Sequence, residues 1–378
     1  MDSKVWRQEF DFLAYINQME HINVDFGPMN VIFSWEEKFR EVGYALKSWF
    51  GDYSSGRVQS HMGFLISPSI FKNVIRTDST QRIVQIWSWD AVLVTPSEGL
   101  QLWVCNPRMT LRKYLAKAIP KWLFRFLNPL GASYWELQAG YLLYHIVLKE
   151  IQIALLKNNA SFIHAAGLSN NFGNAVLICG RGGIGKTTTA TYFVSRGPWK
   201  IIADDFVIVS HEGKMYGSHL PAHIYGYHIP IINQLGLREN KLFKGCLDKL
   251  QWNIYSVLKS PSWVVRRISL PKDIIGLPSI IKMCFVVEVT TSDYKEVSVQ
   301  RIDHEEAARL SLQYTFAEMG FGGDSQKKGL LPLKEQRAAV EIISEAFSNV
   351  MCYKVIIPES YKGSALAQTI WDEVTEDL

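Results

Sequence analysis

The chain has 378 residues, 48% of them hydrophobic, with 40 basic and 36 acidic side chains and a net charge of +4. This length suits two domains, the apolar content excludes wholesale disorder, and so small a charge excess excludes the concentrated basic face of a nucleic-acid binder. The five cysteines, Cys105, Cys179, Cys246, Cys284 and Cys352, are odd in number and never in C-x-x-C spacing, so a reducing cytoplasm is the expected location.

The N-terminus is charged where a secretory signal would be apolar. The longest apolar stretch, Ala139 to Leu156, is broken by His145, Lys149 and Glu150, which predicts no transmembrane span. Over residues 1–110 the apolar runs Met29–Trp35, Met62–Ile66, Ile83–Thr95 and Leu100–Cys105 are rich in aromatic and β-branched residues. They predict a β-rich N-terminal domain, with turns at Gly51–Gly56 and Pro96–Gly99.

Residues 111–158 read as a helical connector. Leu111–Leu127 mixes Lys113, Lys117, Lys121 and Arg125 with Leu115, Trp122, Leu123, Phe124 and Phe126, and Pro120 divides it in two. Such a segment could meet a membrane surface or a partner, but a helix lying on its own domain is the expected reading. One long helix is predicted over Trp135–Leu156, ending at the Asn158-Asn159 pair.

From 159 to 378 the pattern is that of a nucleotide-binding α/β domain. Phe162–Gly167 and Ala175–Cys179 flank a Ser169–Gly173 turn and predict a hairpin. The second run leads into Gly180-Arg181-Gly182-Gly183-Ile184-Gly185-Lys186-Thr187, a full G-x-x-x-x-G-K-[ST] phosphate-binding loop, and a helix follows through Thr188 to Val194. Glycines let the backbone curl so that its N–H groups face phosphate oxygens, the lysine reaches the β and γ phosphates, and the Thr hydroxyl serves Mg²⁺. Gly180 through Thr188 are thus the candidate ATP-binding residues. Later strands are expected at Phe206–Ser210, Lys282–Val289, Glu296–Gln300 and Cys352–Ile357, and helices at Glu305–Thr315, Lys334–Ala346 and Gly363–Glu376.

Asp204-Asp205 follow an apolar run, 18 residues beyond Lys186. Phosphoryl transfer needs carboxylates in such a place, one for the metal and one for the proton of the attacking hydroxyl. Neighbours on a strand point to opposite sides, so both can serve only if the strand turns there. His164 lies on the hairpin strand ahead of the loop, either as a satisfied core residue or within reach of the phosphates. His211, His219, His223 and His228 cluster with Tyr216, Tyr225 and Tyr227, and Pro221, Gly226 and Pro230 make them a substrate-facing loop rather than a helical metal site. Arg266-Arg267 could add charge near a transferring phosphoryl group, and Gly320–Asp324 reads as a flexible loop without a role.

The order His-x-x-Gly, hairpin, GxxxxGK[ST], helix, Ala-Asp-Asp resembles the catalytic domain of HPr kinase/phosphorylase and its relatives, which share a core with ATP-dependent phosphoenolpyruvate carboxykinase. The likeness is densest over Phe162–Ser210. It implies a P-loop kinase core of that type behind the β-rich domain, and an ATP- and Mg²⁺-dependent phosphotransferase acting on a hydroxyl of a peptide, protein or small molecule. By that resemblance Lys186 and Thr187 would bind phosphate and metal, Asp204 would be the general base, Asp205 would assist the metal, and His164 would sit near the reacting phosphate. A homo-oligomer is compatible with it. Thr188 stands where the bifunctional enzyme has Glu, and that enzyme's later Arg-Gly-Leu-Gly signature has no counterpart. The resemblance is therefore to the broader kinase group. Arg181 to Ala190 is also similar to the deviant loop of partition and septum-positioning ATPases, although those carry a lysine where Arg181 stands. A nucleotide-binding accessory protein of a biosynthetic pathway is the third reading.

Overall fold

The protein is described from a computed structural model, covering residues 18–50, 62–77, 83–86, 89–94, 101–108, 115–116, 118–128, 132–225, 246–258, 265–268, 270, 272–290, 297–319, 331–358 and 363–377. It is a mixed α/β protein with two mixed β-sheets. Two compact units divide the chain, Met1–Ile151 with Leu250–Trp252, and Gln152–Lys249 with Asn253–Leu378. The boundary at Ile151 falls within the helix Tyr134–Lys157.

The first unit is less purely β than its composition suggests. Its six-stranded sheet runs β1 (Glu20–Asp25), β2 (Asn30–Trp35), β3 (Met62–Ile66), β6 (Gln101–Pro107), β5 (Trp89–Val94), β4 (Ile83–Ile86). The β2–β3 and β3–β6 pairs are parallel and the remainder antiparallel. Helix α1 (Arg40–Phe50) lies between β2 and β3 in the chain, and α2 (Pro68–Thr77) together with β4 and β5 lies between β3 and β6. Parallel neighbours need a crossover, which explains why helices interrupt the predicted run of strands. Ile70, Phe71 and Val74 of α2 pack with Ile32, Leu65, Val92 and Val104. Phe33 stacks between Phe50 and Phe64 at 5.7 and 5.5 Å. The turns expected at Gly51–Gly56 and Pro96–Gly99 lie outside the described residues.

Gly43 on α1 faces the buried Trp35, and a Cβ there would lie 2.0 Å from the indole Cε2. Trp35 is also held by its Nε1–H, which donates to Glu20 Oε2 at 3.0 Å. Gly43→Ala is expected to destabilise this unit by about 1–3 kcal/mol through overpacking, despite the better helix propensity of Ala. A urea titration monitored by tryptophan fluorescence checks it, and an unchanged midpoint would contradict the contact.

Helix α3 (Lys121–Leu127) starts after Pro120, as the proline predicts. Helix α4 (Tyr134–Lys157) opens with a capping box between Ser133 and Glu136 and contains a π-helical stretch, Leu143–Val147. By length and composition α4 could cross a membrane, but its apolar window is mostly buried inside the protein.

The second unit holds a nine-stranded sheet. Its main path is β10 (Lys200–Ala203), β8 (Ala165–Ser169), β9 (Asn174–Gly180), β15 (Ser279–Thr290), β12 (Lys214–Gly217), β11 (Val207–Ser210), β7 (Ala160–Ile163). β17 (Met351–Pro358) joins β15 in parallel, and β16 (Ser298–Arg301) joins β17 antiparallel. The predicted hairpin is β8–β9, and the Asn170 carboxamide oxygen closes its turn by accepting from the N–H groups of Phe172 and Asn174 at 3.0 and 3.1 Å. A separate ribbon pairs β13 (Ala222–Tyr225) with β14 (Val265–Ile268).

Parallel strands covered on both faces read as continuous apolar runs, which is the character of β9 and the middle of β15. On one face Ile178, Phe285, Val287, Tyr353 and Val355 meet Phe193 of α5 (Lys186–Arg196) and Leu366 and Ile370 of α9 (Gly363–Asp377). Helix α7 (His304–Glu318) packs on β7, β9, β15 and β17, and α8 (Leu333–Ala346) packs beside it. A further helix, α6 (Cys246–Leu258), had no predicted counterpart.

Candidate functional site

The P-loop begins where β9 leaves the sheet centre and ends as α5 starts. Three of its glycines have positive φ: Gly180 at 152°, Gly183 at 81° and Gly185 at 101°. At Gly180 no side chain fits, because a Cβ would lie 2.0 Å from Ile184 Cδ1 and 2.8 Å from the Val287 carbonyl. Gly185 stands at the N-cap of α5 without a capping side chain, so the first turn presents its backbone N–H groups and the positive end of the helix dipole to the loop. Arg181, Gly182 and Gly183 are exposed, while Ile184, Thr187 and Thr188 are half-buried.

Lys186 is only 5% exposed, and its Nζ donates to the carbonyls of Gly180 at 3.0 Å and Arg181 at 2.9 Å. Burial lowers its pKa, while the carboxylates of Asp205, Asp204 and Glu318 act the other way. The Gly182 N–H already holds an anion, donating to Glu318 Oε1 at 2.9 Å. An N–H that accommodates a carboxylate can accommodate a phosphate oxygen, so the loop's geometry fits a phosphate ligand.

Strand β10 ends at Ala203, and the chain turns at once through Asp204 and Asp205, the latter at φ 80°. A non-glycine residue in that conformation costs of order 1–3 kcal/mol and often marks a functional turn. The turn answers the strand-alternation problem, because both carboxylates stay at the site. The Thr187 hydroxyl donates to Asp204, with Oδ1 at 3.0 Å and Oδ2 at 3.1 Å. Asp205 is held between two imidazoles, His164 Nε2 at 3.4 Å and His223 Nδ1 at 2.8 Å. Thr187 therefore meets Asp204, whereas the expectation paired its metal role with Asp205.

The environments separate the two acids. Burial, then the charge of Asp205, pushes the Asp204 carboxyl up to about 6. Burial would raise Asp205 as well, but the hydrogen bonds from His164 and His223 outweigh it and hold that carboxyl well below the usual range. Adjacent carboxylates driven apart in this way are a recurrent acid–base device.

His164 does not lie within one continuous strand. It sits at the break between β7 and β8, where the chain changes sheet partners from β11 to β9 and β10. Its own N–H donates to Thr315 Oγ1 at 2.8 Å, and the next N–H, of Ala165, donates to the Asp205 carbonyl at 3.1 Å. These bonds replace ladder bonds and aim the ring at Asp205. Of the other histidines, His211 lies in the β11–β12 turn, His219 has φ 55°, and His223 sits on β13. His228 and Gly320–Asp324 are outside the described residues. Arg266 and Arg267 lie on β14, with Arg267 in register with His223.

Among the described residues no group of three or more His, Cys, Asp and Glu side chains is arranged to hold a metal ion. The oxygen donors at Thr187 and Asp204 fit Mg²⁺ all the same, because Mg²⁺ beside a nucleotide takes one or two protein oxygens and completes its shell with phosphates and water.

Two partners carried no sequence signal for this role. Glu318 is 136 positions from the Gly182 it touches, and His223 reads as part of a histidine-rich loop rather than as the partner of Asp205. No protein-family model matches the chain, and no curated protein is similar to it at a significant level.

Proposed function

We propose that the second unit is a nucleotide-dependent phosphotransferase, moving the terminal phosphoryl group of ATP to a hydroxyl acceptor. One observation carries the reading: Asp204, the first of two adjacent carboxylates, accepts from the Thr187 hydroxyl of a complete P-loop sequence at 3.0 Å. The loop N–H groups and Lys186 bind and orient the phosphates. Asp204, with a carboxyl at about 6, is ionised at neutral pH yet basic enough to take the acceptor's proton. Asp205 stays ionised under His164 and His223 and keeps negative charge beside the loop. Thr187 and the Asp204 side of the pair would hold Mg²⁺, which when bound neutralises charge on the phosphate oxygens.

The test is incubation with γ-labelled ATP, Mg²⁺ and candidate acceptors: serine, serine-bearing peptides and polyols. A labelled acceptor supports transfer, whereas inorganic phosphate alone together with ATP-driven dimerisation would favour the switch-ATPase reading. Lys186→Ala removes the charge that reaches the phosphates, and hydrogen bonds to charged groups are worth about 1.5–3 kcal/mol, so ATP affinity should fall roughly 10- to 100-fold. Calorimetric titration measures this directly, and unchanged affinity would remove the loop from the binding site.

A further inference from the structure

Glu318 reaches the Gly182 N–H from 136 positions along the chain. Glu318 is the last residue of α7, and the last turn of that helix carries no basic residue. A carboxylate at a helix C-terminus is locally unfavourable because it adds to the negative end of the dipole. Its compensation is a charge-assisted bond at 2.9 Å to a loop N–H. The approach is close enough that a Cβ on Gly182 would lie 3.1 Å from Glu318 Oε1.

The position within the loop identifies what this carboxylate replaces. Lys186 Nζ lies against the carbonyls of Gly180 and Arg181, at the end of the loop remote from the first turn of α5. A P-loop lysine reaches the β and γ phosphates, so the N–H of the neighbouring Gly182 belongs to the terminal-phosphate end. The Glu318 charge acts on Lys186 as well. One anion thus bonds the N–H, and acts electrostatically on the lysine, that a terminal phosphate would use.

Resting on the phosphate-loop reading above, we infer that Glu318 is a tethered competitor for the terminal-phosphate position and sets the preference of the site between tri- and diphosphates. A nucleoside triphosphate must displace the carboxylate from Gly182, while a diphosphate leaves that N–H to Glu318. The tether is firm, because the same end of α7 is fixed through Thr315 to the His164 N–H and through the Tyr314 hydroxyl, which donates to Glu288 Oε1 at 3.0 Å. Glu288 is in turn paired with Lys354 at 2.7 Å. Displacement therefore moves the Glu318 side chain rather than the helix.

Calorimetric titration of wild type, Glu318→Gln and Glu318→Asp with ATP and with ADP, each with Mg²⁺, tests the inference. Glu318 is exposed, so folding is not at stake, and matched thermal unfolding curves verify this. Removal of a like charge and a competing charge-assisted bond should tighten ATP binding about 5- to 20-fold in Glu318→Gln and change ADP binding less than about 2-fold. Glu318→Asp, with charge kept but reach shortened, should fall between. If wild type binds ATP in a Lys186-dependent manner and Glu318→Gln leaves the ATP-to-ADP ratio unchanged or lower, the inference fails and the phosphate-loop reading stands. If neither wild type nor Glu318→Gln binds any nucleotide, both fail together.

Discussion

Asp204→Asn should lower phosphoryl transfer by about 10²–10⁴-fold, the usual loss when a positioned base is removed, while ATP affinity changes only severalfold. The amide keeps the size of the carboxylate, and its oxygen can still accept from the Thr187 hydroxyl, so the loop should hold its shape. The loss should then appear in kcat more than in KM. Turnover within a factor of three of wild type would end the assignment of Asp204 as proton acceptor. A parallel collapse of ATP affinity would instead make holding Mg²⁺, and not taking the proton, the main role of Asp204.

The same substitution has a second readout that needs no substrate. The folded Asp204 carboxyl titrates at about 6, whereas an aspartate in an unfolded chain titrates near ~3.9. Between those values the folded state holds a proton that the unfolded chain has released, so this group's contribution to stability falls as pH rises from about 4 to 6 and stays low above that. Asn is neutral throughout and escapes the penalty. Without nucleotide, Asp204→Asn should be about 1–3 kcal/mol more stable than wild type at pH 8, with the difference closing toward pH 4. Asp205 works in the opposite sense, since its depressed pKa gives stability that is present above the unfolded value and lost at lower pH. Denaturant midpoints for both proteins across that range measure the difference. A gap that widened toward acid would reverse the sign and refute the raised carboxyl.

The legible parts of the chain are those in which one local pattern has one solution. A complete P-loop needs a strand before it and a helix after it, and β9 and α5 are there. The Asn170 turn, the long helix ending at Asn159, and the strands and helices of the last hundred residues carry unambiguous periods, so their limits agree with the observed ones to a few residues. In the first unit the strand runs Met29–Trp35 and Met62–Ile66 are legible, but the helix between them has no predicted counterpart, although Val42, Ala45, Leu46, Trp49 and Phe50 lie at helical spacing and are buried in α1. At the site, the loop and the Asp pair are contiguous motifs and were visible. The way the pair divides was not, because Thr187, His164 and His223 reach it from three separate elements. Glu318 meets Gly182 only because α7 crosses the sheet, a consequence of topology that no local pattern encodes.

Phe285→Ala should cost about 3–5 kcal/mol, a large share of the stability of a domain of this size. Phe285 is fully buried in the middle of β15, in register with Ile178 of β9 on one side and Tyr353 of β17 on the other. Its ring stacks on that of Tyr353 at 5.2 Å and lies in the cluster that joins the sheet to Phe193 of α5 and Leu366 of α9. Truncation loses the transfer energy of the ring and leaves a cavity walled by strands on both sides, which cannot collapse without breaking parallel ladders. Phe285→Leu, which refills much of that volume, should cost about 1–1.5 kcal/mol and covers the case in which the alanine variant does not fold. Val289 is on the same strand but 46% exposed, so Val289→Ala should stay within about 0.5 kcal/mol of wild type. Because α5 carries Lys186 and Thr187 and rests on this cluster, the proposed nucleotide binding should stabilise Phe285→Leu and wild type alike. Urea titrations with and without ATP compare the three variants. A Phe285→Ala midpoint equal to that of Val289→Ala would mean that β15 does not run through the core between β9 and β17.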